Sequence, residues 1–227
     1  MKENSDSVSS SKKQLDVPPA PPAAAESKTE AAEKETSSIP AGYEEIGRTD
    51  FKDQRLMLWI NIIGSIPPAA GFLWYIIYFF KNDLPYAQFN RDFFWYCLIY
   101  VVYIVLHELT HGIVYSLATR RKLCFGFNGM IAWCGVPNVY VNRATALTAL
   151  LAPFVVFDIV FGILCYHPIV AWMQPVFVLL LLTHIGGCIG DLYDTWLILF
   201  DYRQKGLLMK DDGPTQIFYA PIEEEKH

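Results

Sequence analysis

Basic side chains are absent from the most apolar stretches of this sequence. No lysine or arginine occurs in residues 56–80, 92–119 or 144–202. The five cysteines form no C-x-x-C pair, which argues against a zinc ribbon and against a thioredoxin-type redox centre. The basic residues form no stripe and belong to no recognisable nucleic-acid-binding module, so a nucleic-acid partner is not expected. These apolar segments therefore contain no lysine or arginine whose positive charge could balance a buried carboxylate.

The two ends of the chain differ in composition from its centre. Residues 1–42 contain no aromatic side chain and are rich in Ser, Pro, Ala, Glu and Lys. Such a segment cannot bury enough apolar surface to fold alone, so we predict a disordered tail there. Across the whole chain 53% of the residues are hydrophobic, which is typical of a multi-pass membrane protein. We therefore assign residues 43–205 to a membrane-embedded domain and residues 206–227 to a cytoplasmic tail.

Four apolar segments lie within that domain. They cover approximately residues 56–80, 93–119, 144–166 and 169–200, and each exceeds the roughly 20 residues that a membrane-spanning helix needs. Between the second and third segments, aromatic and β-branched residues mix with Gly and Pro, which favours one or two short strands. The predicted fold class is an all-α integral membrane protein with about four transmembrane helices. A small membrane-associated β-hairpin would separate the second helix from the third.

The basic residues outside these segments predict the orientation. Seven of them flank one side of the predicted helices: Arg120, Arg121, Lys122, Arg143, Arg203, Lys205 and Lys210. The two connections on the other side hold only Lys81 and Arg91. The positive-inside rule then places both termini in the cytoplasm. The chain would be a multi-pass protein of the cell inner (plasma) membrane, in contact with the lipid bilayer.

The second apolar segment contains the stretch YIVLHELTHGIVY, in which polar residues interrupt a hydrophobic helix. Residues four apart stand on one face of a helix, so His107 and His111 can direct their imidazoles at one metal ion. Glu108 lies beside them, placed to reach a water on that ion. This H-E-x-x-H pattern is the zincin signature of two zinc ligands and a general base. The alternative is a pair of buried histidines that are satisfied by hydrogen bonds alone.

A charge balance favours the metal. Away from their ends, the segments without lysine or arginine contain four carboxylates: Glu108, Asp158, Asp191 and Asp194. An unpaired buried carboxylate takes up a proton or finds a cation. One Zn²⁺ per chain, together with one aspartate ligand and the glutamate base, sums to zero charge. The sequence therefore predicts a zinc ion, which accounts for two of the four carboxylates.

The third ligand is predicted from depth, at about 1.5 Å of rise per helical residue. The centre of the HELTH motif is roughly 15 Å from the cytoplasmic end of its helix. Asp191 lies at roughly 13–14 Å, Asp194 at about 9 Å and Asp158 at about 20 Å. Asp191 matches best, and the other two stay as alternatives. His184, about 10 Å from Asp191 along a straight helix, suits substrate or oxyanion binding, and Cys188 is a weaker alternative ligand.

These motifs resemble those of a known family. LHELTHG, LLAPF (Leu150 to Phe154) and HIGGCIGDLY (His184 to Tyr193) are similar to segments of small multi-pass membrane proteins described as zincin peptidases. The order of motif helix, small sheet and Gly-rich helix with an aspartate also resembles the site-2 protease class of intramembrane zinc metalloproteases. The resemblance covers roughly residues 50–205. It implies hydrolysis of peptide bonds within the membrane.

The expected function is that of an intramembrane zinc metalloendopeptidase acting on peptide bonds of membrane-protein substrates. Glu108 would take a proton from a zinc-activated water. The loop strands, with Asn128 and Gly129, would bind an extended substrate by strand addition. Two alternatives remain: a non-catalytic membrane scaffold or chaperone that retains a zinc site, and a haem protein that uses His184 with one motif histidine. The sequence leaves open whether the chain forms a homo-oligomer.

Overall fold

The computed structural model describes residues 39–127, 132–136, 139–212 and 215–222. Its helices are α1 (Gln54–Lys81), α2 (Tyr86–Thr119), α3 (Arg143–Tyr166), α4 (Gln174–Gly187) and α5 (Ile189–Trp196). A 3-10 turn, Ala171–Met173, precedes α4, and a π-helical turn, Leu197–Asp201, follows α5. The strands are β1 (Tyr43–Asp50), β2 (Cys124–Phe127), β3 (Ala132–Gly135), β4 (Tyr140–Asn142), β5 (Leu208–Asp211) and β6 (Thr215–Pro221). Of the tail predicted over residues 1–42, only residues 39–42 lie within the described ranges.

Four helical spans of the described chain are long and apolar enough to cross a membrane: α1, α2, α3 and the stretch Ala171–Asp201, which contains α4 and α5. Even the 24 residues of α3 extend about 36 Å, more than the ~30 Å hydrocarbon core of a bilayer. Large side chains such as Trp59, Ile66 and Leu117 are more than half exposed, as expected of a surface that faces lipid. The prediction of about four long apolar helices is confirmed.

The last span is interrupted at Cys188, between α4 and α5. Helix α4 crosses α1 where Gly186 lies against Gly64, and a Cβ atom at Gly186 would overlap the carbonyl oxygen of Gly64. Small residues of this kind let two helix backbones approach closely in a membrane protein. A new helix then begins at Ile189, two residues before Asp191.

A four-stranded antiparallel sheet has the order β1-β6-β5-β4. Met209 of β5 lies opposite Phe218 of β6 and Val141 of β4, and all three pack with Ile198 in one buried apolar cluster. Strand β1 precedes α1, β4 lies between α2 and α3, and β5 and β6 follow the last span. The sheet therefore gathers these three parts of the chain at the same end of the helices.

The sequence predicts only part of this β structure. The antiparallel hairpin β2–β3 lies between α2 and α3, as predicted. Neither β1 nor the hairpin β5–β6 is predicted, and these last two strands occupy residues 208–211 and 215–221 of the segment assigned to a tail. The fold is therefore mostly helical with a small antiparallel sheet, rather than all-α. The partners of β1 lie at the other end of the chain, so no local turn signal marks their pairing.

Arg143 connects the start of α3 to the end of the last span. Its guanidinium donates to the carbonyl oxygens of Ile198 at 2.5 Å, of Tyr202, and of Gln204 at 3.3 Å. Carbonyls at the end of a helix lack intrahelical donors, and arginine offers five N–H groups. This contact fixes the end of the span that carries Asp191.

Candidate metal centre

The two histidines of the HELTH motif and Asp191 meet at one point between α2 and α5. The Nε2 atoms of His107 and His111 are 3.2 Å apart. Oδ2 of Asp191 lies 3.3 Å from Nε2 of His107 and 3.4 Å from Nε2 of His111. Each histidine side chain is 12% exposed and that of Asp191 is 21% exposed. The three candidate ligand atoms thus form a nearly equilateral triangle that is largely closed to solvent.

The size of this triangle fits tetrahedral zinc coordination. Zinc binds histidine nitrogen at about 2.0–2.1 Å and carboxylate oxygen at about 2.0–2.2 Å, so two such ligands stand about 3.3–3.5 Å apart in a tetrahedron. The observed separations of 3.2, 3.3 and 3.4 Å agree with that value. Three protein ligands are also the number found in catalytic zinc sites, which keep the fourth position for water or substrate.

Oδ2 of Asp191 provides an independent test of the fit. It is buried and has no hydrogen-bond partner among the described residues. Lone pairs of one carboxylate oxygen and two imidazole nitrogens that converge on one space repel each other unless positive charge lies between them. The donor set therefore fits a zinc ion, which His107, His111 and Asp191 would hold.

Helix α3 orients His111 through a proline. Nδ1 of His111 lies 2.9 Å from the carbonyl oxygen of Ala149. Because a carbonyl only accepts, Nδ1 carries the proton and donates, which leaves Nε2 with the lone pair that a metal needs. In an unbroken helix this carbonyl would accept from the amide of residue 153, but Pro153 has no N–H. The proline thus frees the carbonyl that fixes the tautomer of His111.

Tyr103 connects His107 to a third histidine. Its hydroxyl lies 3.1 Å from Nδ1 of His107 and 2.8 Å from Nδ1 of His184. Nε2 of His184 in turn lies 3.3 Å from the carbonyl oxygen of Phe154 and 3.5 Å from Oδ1 of Asp158. The exposed fractions are 5% for Tyr103 and 0% for His184. A line of polar groups therefore runs from the candidate metal site to α3.

The alternative ligands have other partners. Oδ1 of Asp194 accepts a buried hydrogen bond of 2.5 Å from the hydroxyl of Thr49 in β1. Sγ of Cys188 lies 3.5 Å from Nδ1 of His184, and these two side chains form a second candidate group with His107. The hydroxyl of Tyr103 already lies between those two histidine rings. Asp191 is the one aspartate of the described chain that lies within 4 Å of both motif histidines.

The remaining predicted residues differ in their surroundings. Glu108 follows His107 on α2 and is partly exposed. His184 is fully buried and both its ring nitrogens face protein atoms, and its role in binding substrate or an oxyanion stays a prediction. Asn128 and Gly129 lie outside the described residues.

Sequence reasoning missed Tyr103 and Thr49. Tyr103 lies four residues before His107, so the helical spacing that pairs the motif histidines also places the tyrosine on their face. That signal was available in the sequence. Thr49 is 145 residues from Asp194, and no local pattern marks a contact of that range.

The comparisons with known proteins agree with the chemistry of this site. Residues 100–204 match the model of a family described as "Putative zincin peptidase". The matched region contains all three candidate ligands and Glu108. The match supports a zincin-like family and suggests a metallopeptidase, for which zinc is the implied metal. A search of curated proteins and a search of solved structures each found no match.

Proposed function

We propose that the protein is an intramembrane zinc metallopeptidase that hydrolyses peptide bonds in membrane-protein substrates. The observation that carries the proposal is the triangle of Nε2 of His107, Nε2 of His111 and Oδ2 of Asp191, with sides of 3.2, 3.3 and 3.4 Å. A purely structural zinc site has four protein ligands, whereas a catalytic one has three. The family match over residues 100–204 supports the same class of enzyme.

The roles of the residues follow from their chemistry. When bound, zinc supplies a water that is nucleophilic near neutral pH and polarises a carbonyl oxygen. His107, His111 and Asp191 hold the metal, and the carboxylate of Glu108 is the general base. Glu108 takes the proton from the attacking water and passes it to the amine that leaves as the peptide bond breaks. The products are a carboxylate and a free amine.

The substrate class follows from the position of the site among helices that are long enough to span a membrane. The carbonyl groups of a helical substrate are occupied by hydrogen bonds, so the scissile segment must be extended. Strands of the loop that contains Asn128 and Gly129 would pair with this segment by strand addition. Gly129→Pro is expected to slow cleavage at unchanged zinc content, and an unchanged cleavage rate would sink this part of the proposal.

The orientation in the membrane is part of the proposal. The four-stranded sheet holds the segment before α1 and the segment after the last span at one end of the helices. The basic residues of the loop after α2 lie at this same end, which supports a cytoplasmic location for both termini. We infer a multi-pass protein of the cell inner (plasma) membrane.

The test of catalysis is a comparison of the zinc-loaded wild type with Glu108→Gln. Both proteins would be reconstituted in liposomes with single-span model peptides, and cleavage products would be identified by mass spectrometry. We expect the wild type to cleave, and Glu108→Gln to keep its zinc while the rate falls by about 10²–10⁴-fold. Glu45→Gln, which changes a glutamate on β1, serves as the matched control.

Cleavage of the peptides at the same rate by the wild type and by Glu108→Gln would contradict the proposal. A zinc-loaded wild type that cleaves none of the peptides, together with full cellular function of Glu108→Gln, would instead favour a non-catalytic scaffold or chaperone that retains the metal. Haem ligation by His184 is disfavoured because both of its ring nitrogens already face protein partners.

A further inference from the structure

A continuous line of polar contacts joins four side chains, of which all but His107 have no direct part in the proposed peptidase chemistry. From the candidate metal outward they are His107, Tyr103, His184 and Asp158, with successive separations of 3.1, 2.8 and 3.5 Å. His184 is fully buried and Tyr103 is 5% exposed. In such buried surroundings each hydrogen-bond donor must face an acceptor. The position of one proton along the line therefore determines the positions of the others.

The outer end of the line fixes the direction of its hydrogen bonds. Nε2 of His184 faces the carbonyl oxygen of Phe154 at 3.3 Å and Oδ1 of Asp158 at 3.5 Å. A carbonyl and an ionised carboxylate only accept hydrogen bonds. Oδ1 of Asp158 is also buried and has no hydrogen-bond partner among the described residues. Nε2 of His184 therefore carries the proton, and Nδ1 of the neutral ring is an acceptor.

The direction of the hydrogen bonds at His184 determines which nitrogen of His107 carries a proton. Since Nδ1 of His184 accepts, the hydroxyl of Tyr103 donates its one proton to it over 2.8 Å. Tyr103 then accepts from His107, whose Nδ1 supplies the proton over 3.1 Å. Nε2 of His107 is left with its lone pair, and this is the atom that faces Asp191 and His111. The opposite direction would place a proton on Nε2 and block metal binding.

We propose that Tyr103, His184 and Asp158 are positioning residues that hold His107 in the tautomer able to bind metal. The inference rests on the proposed zinc site and assigns roles to residues outside its three ligands. Helix α3 supplies the outer end of this line at Phe154 and Asp158, and it also supplies the carbonyl of Ala149 that orients His111. One helix thus sets the tautomers of both motif histidines.

Zinc affinity provides the first test, measured by competition with a chelator of known affinity. Tyr103→Phe removes only the hydroxyl and is expected to weaken zinc binding by about 10–100-fold, the usual effect of losing such a partner. Tyr100→Phe is the matched control, because Tyr100 stacks on Tyr103 one turn earlier on the same helix. Wild-type affinity in Tyr103→Phe would overturn the inference.

A pair of variants separates positioning from packing. His184→Leu alone is expected to weaken zinc binding, because the hydroxyl of Tyr103 loses its acceptor. In the Tyr103→Phe background the same change should cost nothing further, since the line is already broken. His184→Asn, whose amide oxygen can still accept from Tyr103, is expected to restore much of the affinity. Losses that simply add in the double variant would overturn the inference in favour of a packing role.

The tautomer of His184 gives a third test, because a role in packing alone would not determine which ring nitrogen carries the proton. In protein labelled with ¹⁵N at histidine, NMR at mildly alkaline pH should show the Nε2–H tautomer of His184, with and without zinc. An Nδ1–H tautomer would overturn the inference. A wild type that binds no zinc would refute the proposed function and, with it, the inference that these residues prepare His107 for the metal. Zinc binding that is insensitive to Tyr103→Phe would refute the inference and leave the proposed function standing.

Discussion

At the scale of single residues, the sequence predicts the candidate metal ligands better than it predicts the groups that orient them. The spacing of His107 and His111 predicts a shared face, and the depth estimate favours Asp191; the structure brings all three together. The groups that orient them are harder to see. The carbonyl of Ala149 is available only because Pro153 lacks an amide proton, and a backbone carbonyl leaves no mark in the sequence.

The role of Pro153 gives a prediction about metal affinity. In Pro153→Ala a new amide N–H would compete with His111 for the carbonyl oxygen of Ala149. We expect zinc affinity to fall by about 10-fold, the lower end of the range for lost orienting partners, as measured by chelator competition. Pro67→Ala, which changes a proline inside α1, is the control and should bind zinc like the wild type. Unchanged affinity in Pro153→Ala would show that the proline does not orient His111.

At the scale of elements, the sequence predicts the helices and the hairpin β2–β3 but not the four-stranded sheet. A long apolar segment predicts a spanning helix from its own residues alone. Strand β1 is polar and pairs with β6, whose residues lie more than 150 positions away, so its own residues do not predict the pairing. The Gly-rich stretch predicts either a close helix contact or a break. The structure has both, with Gly186 at the contact with α1 and Cys188 between the two helices.

The crossing of α1 and α4 predicts a difference between two glycines. A Cβ atom at Gly186 would overlap the carbonyl oxygen of Gly64, so Gly186→Ala is expected to lower the free energy of unfolding by about 1–3 kcal/mol. Gly162 of α3 is the matched control, because a Cβ atom there meets nothing within 4 Å. Gly162→Ala should be neutral or stabilising by about 0.5–1 kcal/mol. Denaturant unfolding in detergent measures both, and equal stability of the two variants would contradict the close crossing.

At the scale of the whole molecule, the sheet β1-β6-β5-β4 joins parts of the chain that precede, interrupt and follow the apolar helices. The four candidate spans of the described chain, an even number, would place both outer segments on one side of a membrane, and we propose from the basic residues that this side is cytoplasmic. The sequence predicts this orientation through charge alone. The physical link between the segments is visible only in the structure, since it consists of hydrogen bonds between distant strands.

The proposed orientation predicts how single cysteines react in intact cells. Asp83→Cys, in the short connection between α1 and α2, should react with a membrane-impermeant thiol reagent added outside. Glu44→Cys, in β1, should react only after the cells are opened. The unsubstituted chain provides the background from its own five cysteines. Labelling of both positions from outside, or of Glu44→Cys alone, would contradict the proposed topology.

The central claim is a zinc site formed by His107, His111 and Asp191, and metal content per chain tests it most directly. Wild-type protein, purified in detergent without chelator, should contain close to one zinc ion per chain, and Glu108→Gln should retain it. His107→Ala and Asp191→Ala should lose the metal, whereas Asp194→Asn, which keeps an oxygen to accept from Thr49, should not. Zinc retained in Asp191→Ala, or absent from every form, would contradict the account.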